Sequence, residues 1–367
     1  MKINAAVATA PSAPFVLRQV ELAEPRPDEV LVRIAGVGLC HTDLVARDQF
    51  IPIPLPAVLG HEGSGTVERV GRDVEGLHPG DSVVIAFSSC GACRQCRQGL
   101  PPYCASFPAL NFAGTRPDGS TSLFCESAGV SSHFFGQSSF AEFCVVPARN
   151  CVAINDAALP VELLGPLGCG IQTGAGAVLR SMECEAGTSI AVFGGGPVGL
   201  AAIMAARHRG CDPIVLVEPV AARREMALGL GATHVIDPAA GTVAESIRAI
   251  LPGGLDYALE TSGREAVVDT AIAALASRGL LGLVGVPPRP ESSFSANLAS
   301  LITFGHRIHG IIEGDSNPQD FIPELVRLQR EGAFPFEKLL RTYPLADINS
   351  AIADQAAGLC IKPVLIP

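Results

Sequence analysis

The chain has 367 residues, 48% of them hydrophobic and 17% charged, and a net charge of −10. That length exceeds one ordinary hydrophobic core and predicts two domains, while the composition excludes extensive disorder. An acidic balance without a basic run excludes nucleic acid and anionic membranes as partners.

The N-terminal stretch MKINAAVATAPSAP carries a single Lys, and its apolar part is broken by Asn4. It predicts a first strand rather than a signal peptide, and with no targeting signal a cytoplasmic location. Twelve cysteines in so long a chain are then metal ligands, reactive thiols or small core residues rather than a disulfide framework. Cys40 in GLCHTD, His61 in LGHEGSG and Cys169 in GPLGCG are one Cys, one His and one Cys. If they meet, they supply three protein ligands and leave a fourth zinc position for water or substrate. Taken singly, each is as well explained as a core thiol or a satisfied polar residue. Glu62 and Asp43 are carboxylates of the kind that orient metal ligands, or else ordinary surface charge.

Cys90, Cys93, Cys96 and Cys104 have the spacing C-x2-C-x2-C-x7-C. Four thiolates suit a closed tetrahedral zinc that shapes a loop and has no room for substrate. An iron–sulfur cluster is the competing reading, and free or disulfide-bonded cysteines a third.

The uncharged stretch Ala186 to Arg207 is interrupted by Gly194, Gly195, Gly196, Pro197 and Gly199, so it reads as strand, turn and helix rather than a membrane span. Ile190 to Phe193 is the strand, Gly194-x-Gly196-x-x-Gly199 the turn, Leu200 to Arg209 the helix and Ile214 to Val217 the next strand. The first glycine permits the turn, the second admits a pyrophosphate to the backbone, and the third lets helix pack on strand. Glu218 follows Gly199 by nineteen residues, which completes the dinucleotide fingerprint. Its carboxylate favours NAD over NADP, against which Arg223 and Arg224 offer charge for a 2′-phosphate, unless they lie on a solvated helix face. GATHVIDP, GGLDYALETSG and LLGLVGVPP continue as strands spaced by helices, the alternation of a doubly wound parallel sheet in an α/β protein. Cys125, Cys144, Cys151, Cys184, Cys211 and Cys360 read as core or inert thiols.

In this order, with GHEGSGTVERVG, GDSV, GCGIQTGAG and the C-terminal CIKPVLIP, these motifs resemble the zinc-dependent medium-chain alcohol dehydrogenase family over essentially the whole chain. HFFGQSSFAEF and GIIEGDSNPQDFIPEL look most like its aryl (benzyl) alcohol members. The resemblance implies a chaperonin-like (GroES-like) β-rich catalytic domain, residues 1–170 with 312–367, and a Rossmann domain at 171–311, with the active site in the cleft. It implies two zinc ions, one catalytic on Cys40, His61 and Cys169 and one structural, together with NAD. The activity it implies is reversible oxidation of primary aromatic or allylic alcohols, with alkoxide formation on zinc and hydride transfer to the nicotinamide. A homodimer is the expected assembly and a homotetramer the alternative, since the segment between Cys104 and Gln137 looks like that of dimeric members.

Residue by residue, Thr42 matches the hydroxyl that takes the alcohol's proton. The family's usual relay histidine is replaced by Val45, so the proton leaves through water and ribose or through His41 as base. His41 otherwise matches a pyrophosphate contact, as does Lys362, unless Lys362 is a solvated C-terminal lysine. Phe87, Phe134, Phe135 and Val286 fall where relatives line the substrate channel, or are simply core. The nearest rival is a dehydrogenase of S-hydroxymethyl thiol adducts, which needs pocket cations such as Arg116 or Arg307. A non-catalytic dinucleotide-binding protein and a ferredoxin-like carrier are the more distant ones.

Overall fold

A computed structural model describes all 367 residues. The chain divides into two compact units, one of Met1–Gly170 with Asn317–Arg330 and Glu337–Pro367, the other of Ile171–Ser316 with Glu331–Phe336.

The first unit is built on two β-sheets. Its five-stranded sheet runs in the order Ala57–Val58, Lys2–Ala8, Val16–Leu22, Leu123–Cys125, Ala128–Val130. The expected first strand is therefore Lys2–Ala8, whose last four residues are buried. The seven-stranded sheet runs Cys151–Ala153, Ser82–Ile85, Gly63–Val70, Glu29–Gly38, Lys362–Ile366, Leu340–Pro344, with Phe143–Pro147 also on Glu29–Gly38. Placing Lys362–Ile366 antiparallel to the end of Glu29–Gly38 brings the C-terminus beside the loop that carries Cys40.

In the second unit six strands are parallel throughout, in the order His234–Ile236, Ile214–Val217, Ile190–Phe193, Leu255–Glu260, Leu275–Leu283, Arg307–Gly310. In chain order that is 3-2-1-4-5-6, the doubly wound arrangement whose ligand crevice lies where the order reverses, at the carboxyl end of Ile190–Phe193. Ile190–Phe193 and Ile214–Val217 are buried throughout, so they read as unbroken apolar runs rather than alternating ones. The helix after the glycine turn is Pro197–Arg209, with Pro at its first position, where a missing N–H costs no bond. Its residues from Leu200 to Ala206 are fully buried, which is why the sequence there is apolar all round. No helix is long and apolar enough to cross a membrane.

Candidate metal centre and dinucleotide turn

Cys40 caps the helix His41–Arg47, and its backbone N–H donates to Asp43 Oδ2 at 2.9 Å, three residues on. That reciprocal cap explains the spacing of Cys and Asp in GLCHTD. The other oxygen, Asp43 Oδ1, lies 2.8 Å from His61 Nδ1 and accepts from Gly60 N at 3.1 Å. Asp43 is fully buried, so it orients the imidazole and is not surface charge. The free nitrogen, His61 Nε2, is buried with no hydrogen-bond partner. An orphan of this kind costs free energy unless something else takes its lone pair.

That something fits a metal ion. Ligand atoms of Cys40, His61, Glu62 and Cys169 lie within 4.8 Å of one another. The hydrogen bond from Cys169 is the largest influence on Cys40; it outweighs burial and, with the charge of Lys362, holds the thiol well below its usual range. This keeps the thiolate, the form that ligates. Glu62 stands closer to the donors than the sequence reading placed it. Its Oε1 accepts from Gly170 N at 3.2 Å, beside Cys169, and from Lys362 Nζ at 2.6 Å. Lys362 is 1% exposed, also donates to Leu39 O at 3.1 Å, and lies 2.5 Å from Glu62 Oε2. This settles one of the two readings of Lys362. Burial rules out a solvated lysine, and the ammonium is paired with Glu62. Burial pushes the Glu62 carboxyl up to about 7, with the Lys362 charge opposing it.

Thr42 Oγ1 is 3.7 Å from Cys40 Sγ, His41 is exposed, and Val45 is buried at 8% exposure. Phe135 stacks on the His61 ring at 4.5 Å and Phe134 meets it edge-on at 5.5 Å. Both are buried, as is Phe87, which packs on Phe107. Phe134 and Phe135 are thus interior rings packed on the His61 imidazole. Val286 belongs to the other unit and is 40% exposed, so it is not core. Gln137 is a site residue that the sequence reading passed over. It is buried, and its amide grips the backbone of His61 and Gly63.

The four-cysteine loop closes on itself. The four sulfurs lie within 4.8 Å of one another, Cys93 and Cys96 at 3.5 Å and Cys90 and Cys96 at 4.0 Å. Thiolates about 2.3 Å from a tetrahedral ion stand about 3.8 Å apart, whereas a disulfide needs about 2.05 Å. The set fits one ion. A cluster would push its ligands outward around inorganic sulfide. Backbone N–H groups of Ala105 and Cys96 lower Cys93 to about 6, which favours its thiolate.

At the dinucleotide turn Gly194 has φ +111°, open only to glycine, and a Cβ on Gly199 would lie 1.9 Å from the Gly194 carbonyl oxygen. A Cβ on Gly196 would meet nothing within 4 Å, which is the room a pyrophosphate needs. Glu218 is buried and both its oxygens accept backbone N–H groups, from Gly195 at 2.6 Å and Val220 at 2.8 Å. Arg224 is committed to the carbonyls of Glu218 and Pro219 and to Asp237 at 2.9 Å. Arg223 is half-buried, and its Nε is buried without a partner.

A GroES-like unit holding a Cys, His, Cys and carboxylate cluster, joined to a doubly wound sheet with a dinucleotide turn, defines a metal-dependent oxidoreductase. The family described as "Alcohol dehydrogenase GroES-like domain" matches residues 26–156, and that described as "Zinc-binding dehydrogenase" matches residues 197–330. The chain is 48% identical over 365 residues to the geraniol dehydrogenase of Castellaniella defragrans, covering 99% of this chain and 97% of that one. Its fold matches a benzyl alcohol dehydrogenase from Acinetobacter calcoaceticus with a TM-score of 0.96 at 41% identity, over 100% of this chain and 99% of that one. An alcohol dehydrogenase zinc-binding domain protein from Burkholderia ambifaria matches with a TM-score of 0.98 at 49% identity, again over 100% and 99%. The chain belongs to the zinc-dependent medium-chain alcohol dehydrogenase family, and is an alcohol dehydrogenase acting on a small-molecule alcohol.

Proposed function

We propose that the protein is an NAD-dependent dehydrogenase of primary allylic and aromatic alcohols, with a catalytic zinc held by Cys40, His61 and Cys169 and a structural zinc held by the four-cysteine loop. The observation that carries this is the orphaned His61 Nε2, fixed by Asp43 among two thiols and a carboxylate. When bound, the zinc acidifies a hydroxyl and the nicotinamide accepts the hydride.

The chain's own residues do the rest. Asp43 holds the His61 ring in one orientation and the N-terminus of the helix that carries Thr42. The Thr42 hydroxyl, beside Cys40, takes the alcohol's proton. Val45 cannot titrate and is buried, so the proton leaves through water or through the exposed His41, which otherwise serves the cofactor's phosphates. Phe134 and Phe135 keep the surroundings of His61 apolar, which suits an alcohol with a ring or alkene rather than a charged thiol adduct. Arg116, one of the two cations considered for a thiol adduct, is buried in a two-bond pair with Glu29 at 2.6 and 2.8 Å. The names of the geraniol and benzyl alcohol relatives support the same substrate class.

Glu218 at the end of its strand favours NAD, and Arg224 is already engaged. Leu298, Ile302 and Phe304 are exposed at 74%, 81% and 46% on one helix, and the strand Arg307–Gly310 is an open sheet edge; both features support a homodimer. Twelve cysteines with no disulfide among them suit the cytoplasm. The test is NADH formation with geraniol, benzyl alcohol, ethanol and S-hydroxymethylglutathione in parallel. A preference for the first two by orders of magnitude in kcat/KM is expected. Turnover with the glutathione adduct alone would overturn the substrate class.

A further inference from the structure

Residues 133 to 140 run along the loop that carries His61. Ser138 Oγ donates to Val58 O at 2.6 Å, Ser139 N to Gly60 O at 3.0 Å and Phe140 N to Leu59 O at 3.0 Å. Within this seam Gln137 is 2% exposed and every arm of its carboxamide is used. Nε2 donates to His61 O at 2.9 Å and Ile85 O at 3.4 Å, while Oε1 accepts from Gly63 N at 3.0 Å and Ser139 Oγ at 2.9 Å. Two of those bonds grip the chain on either side of Glu62. A third reaches the end of the strand Ser82–Ile85. A Cβ on Gly168 would lie 2.4 Å from that same Ile85 carbonyl oxygen, so the residue before Cys169 sits directly on it. One side chain thus spans the backbone bearing His61 and the backbone on which Cys169 is seated.

We propose that Gln137 is a positioning residue for the three-ligand metal centre, fixing the His61 backbone relative to that of Cys169. The proposal rests on the reading of Cys40, His61 and Cys169 as metal ligands. A backbone carbonyl and N–H that straddle one residue need a partner with a donor and an acceptor side by side, and the primary amide of glutamine offers both without a charge or a titrating proton. Ionised glutamate keeps the shape and the acceptor but withdraws both donated bonds, and protonated glutamate restores at most one. Leucine withdraws all four.

The test follows metal release to a chelator from the zinc holoenzyme, and the visible bands of the cobalt(II)-substituted enzyme, in wild type, Gln137→Glu and Gln137→Leu. Groups behind a ligand shell change metal affinity by about 10–100-fold, and an acceleration of that order is expected for one metal per chain. The four-thiolate metal should leave at its wild-type rate, and the cobalt bands should shift. Variants that merely melt earlier, with unshifted bands and both release rates at wild-type values, would overturn the proposal alone. A wild type holding only one metal, on the four thiolates, would overturn the ligand reading with it. Should the leucine variant not fold, Ser139→Ala, which frees one bond to Oε1, must show a smaller acceleration in the same direction.

Discussion

Lys362 and Glu62 form an ion pair with both side chains out of contact with water, at 1% and 0% exposure. Lys362→Met keeps the volume of the stem and removes the charge. The carboxylate then stays buried with Gly170 N as its remaining donor, and the Leu39 carbonyl loses its partner as well. At a pH high enough to keep the Glu62 carboxyl ionised, breaking the buried pair from one side costs about 3–5 kcal/mol, because the surviving charge is uncompensated; at lower pH that carboxyl, already pushed up by burial, takes a proton and the cost shrinks. At about 2–4 °C per kcal/mol for a unit of this size, melting should fall by about 6–20 °C. Adding Glu62→Gln removes that stranded charge, so the double variant should recover about 2–3 kcal/mol of the loss. Urea unfolding of wild type, both single variants and the double variant measures this coupling. A Lys362→Met cost below about 1 kcal/mol, or a double variant that loses the sum of the singles, would refute the reasoning.

His133 is buried, and burial, with the Arg116 charge, lowers it from an ordinary 6.5 to about 4. The unfolded chain therefore takes up a proton near pH 6.5 that the folded protein refuses, and stability is lost as pH falls from 6.5 towards 4. The full effect is about 3 kcal/mol at 1.36 kcal/mol per pH unit. His133→Asn, which tolerates the same left-handed backbone (φ +61°), should flatten that slope in urea titrations at a series of pH values. Cys93→Ser should lose the four-thiolate metal and several degrees of melting temperature while turnover per folded molecule survives; lost turnover at unchanged stability would count against a structural role. Gly199→Ala forces a methyl onto the Gly194 carbonyl, so NAD affinity by fluorescence titration should fall at least about tenfold with metal content unchanged.

What the sequence made legible is what local chemistry dictates. The strands Ile190–Phe193 and Ile214–Val217 stand where apolar runs and glycines put them, because a buried parallel strand and a φ-positive turn leave their own signatures. Asp43 was recognisable as an orienting carboxylate because helix capping fixes its offset from Cys40. The Lys362 partnership was not legible, since Glu62 stands 300 residues away and only the pairing of Lys362–Ile366 with Glu29–Gly38 joins them. The role of Phe134 and Phe135 hangs on left-handed backbone at His133 and Phe135, a conformation that neither residue type announces. Gln137 left no pattern at all. Its importance lies in what it touches, and composition and spacing do not report that.

The most direct test of the account is turnover of geraniol with NAD by Cys169→Ser, set against wild type with both proteins metal-replete. The account predicts activity at background, with the fold intact and the four-thiolate metal still bound. Activity near that of wild type would remove Cys169 from the catalytic centre and contradict the three-ligand assignment.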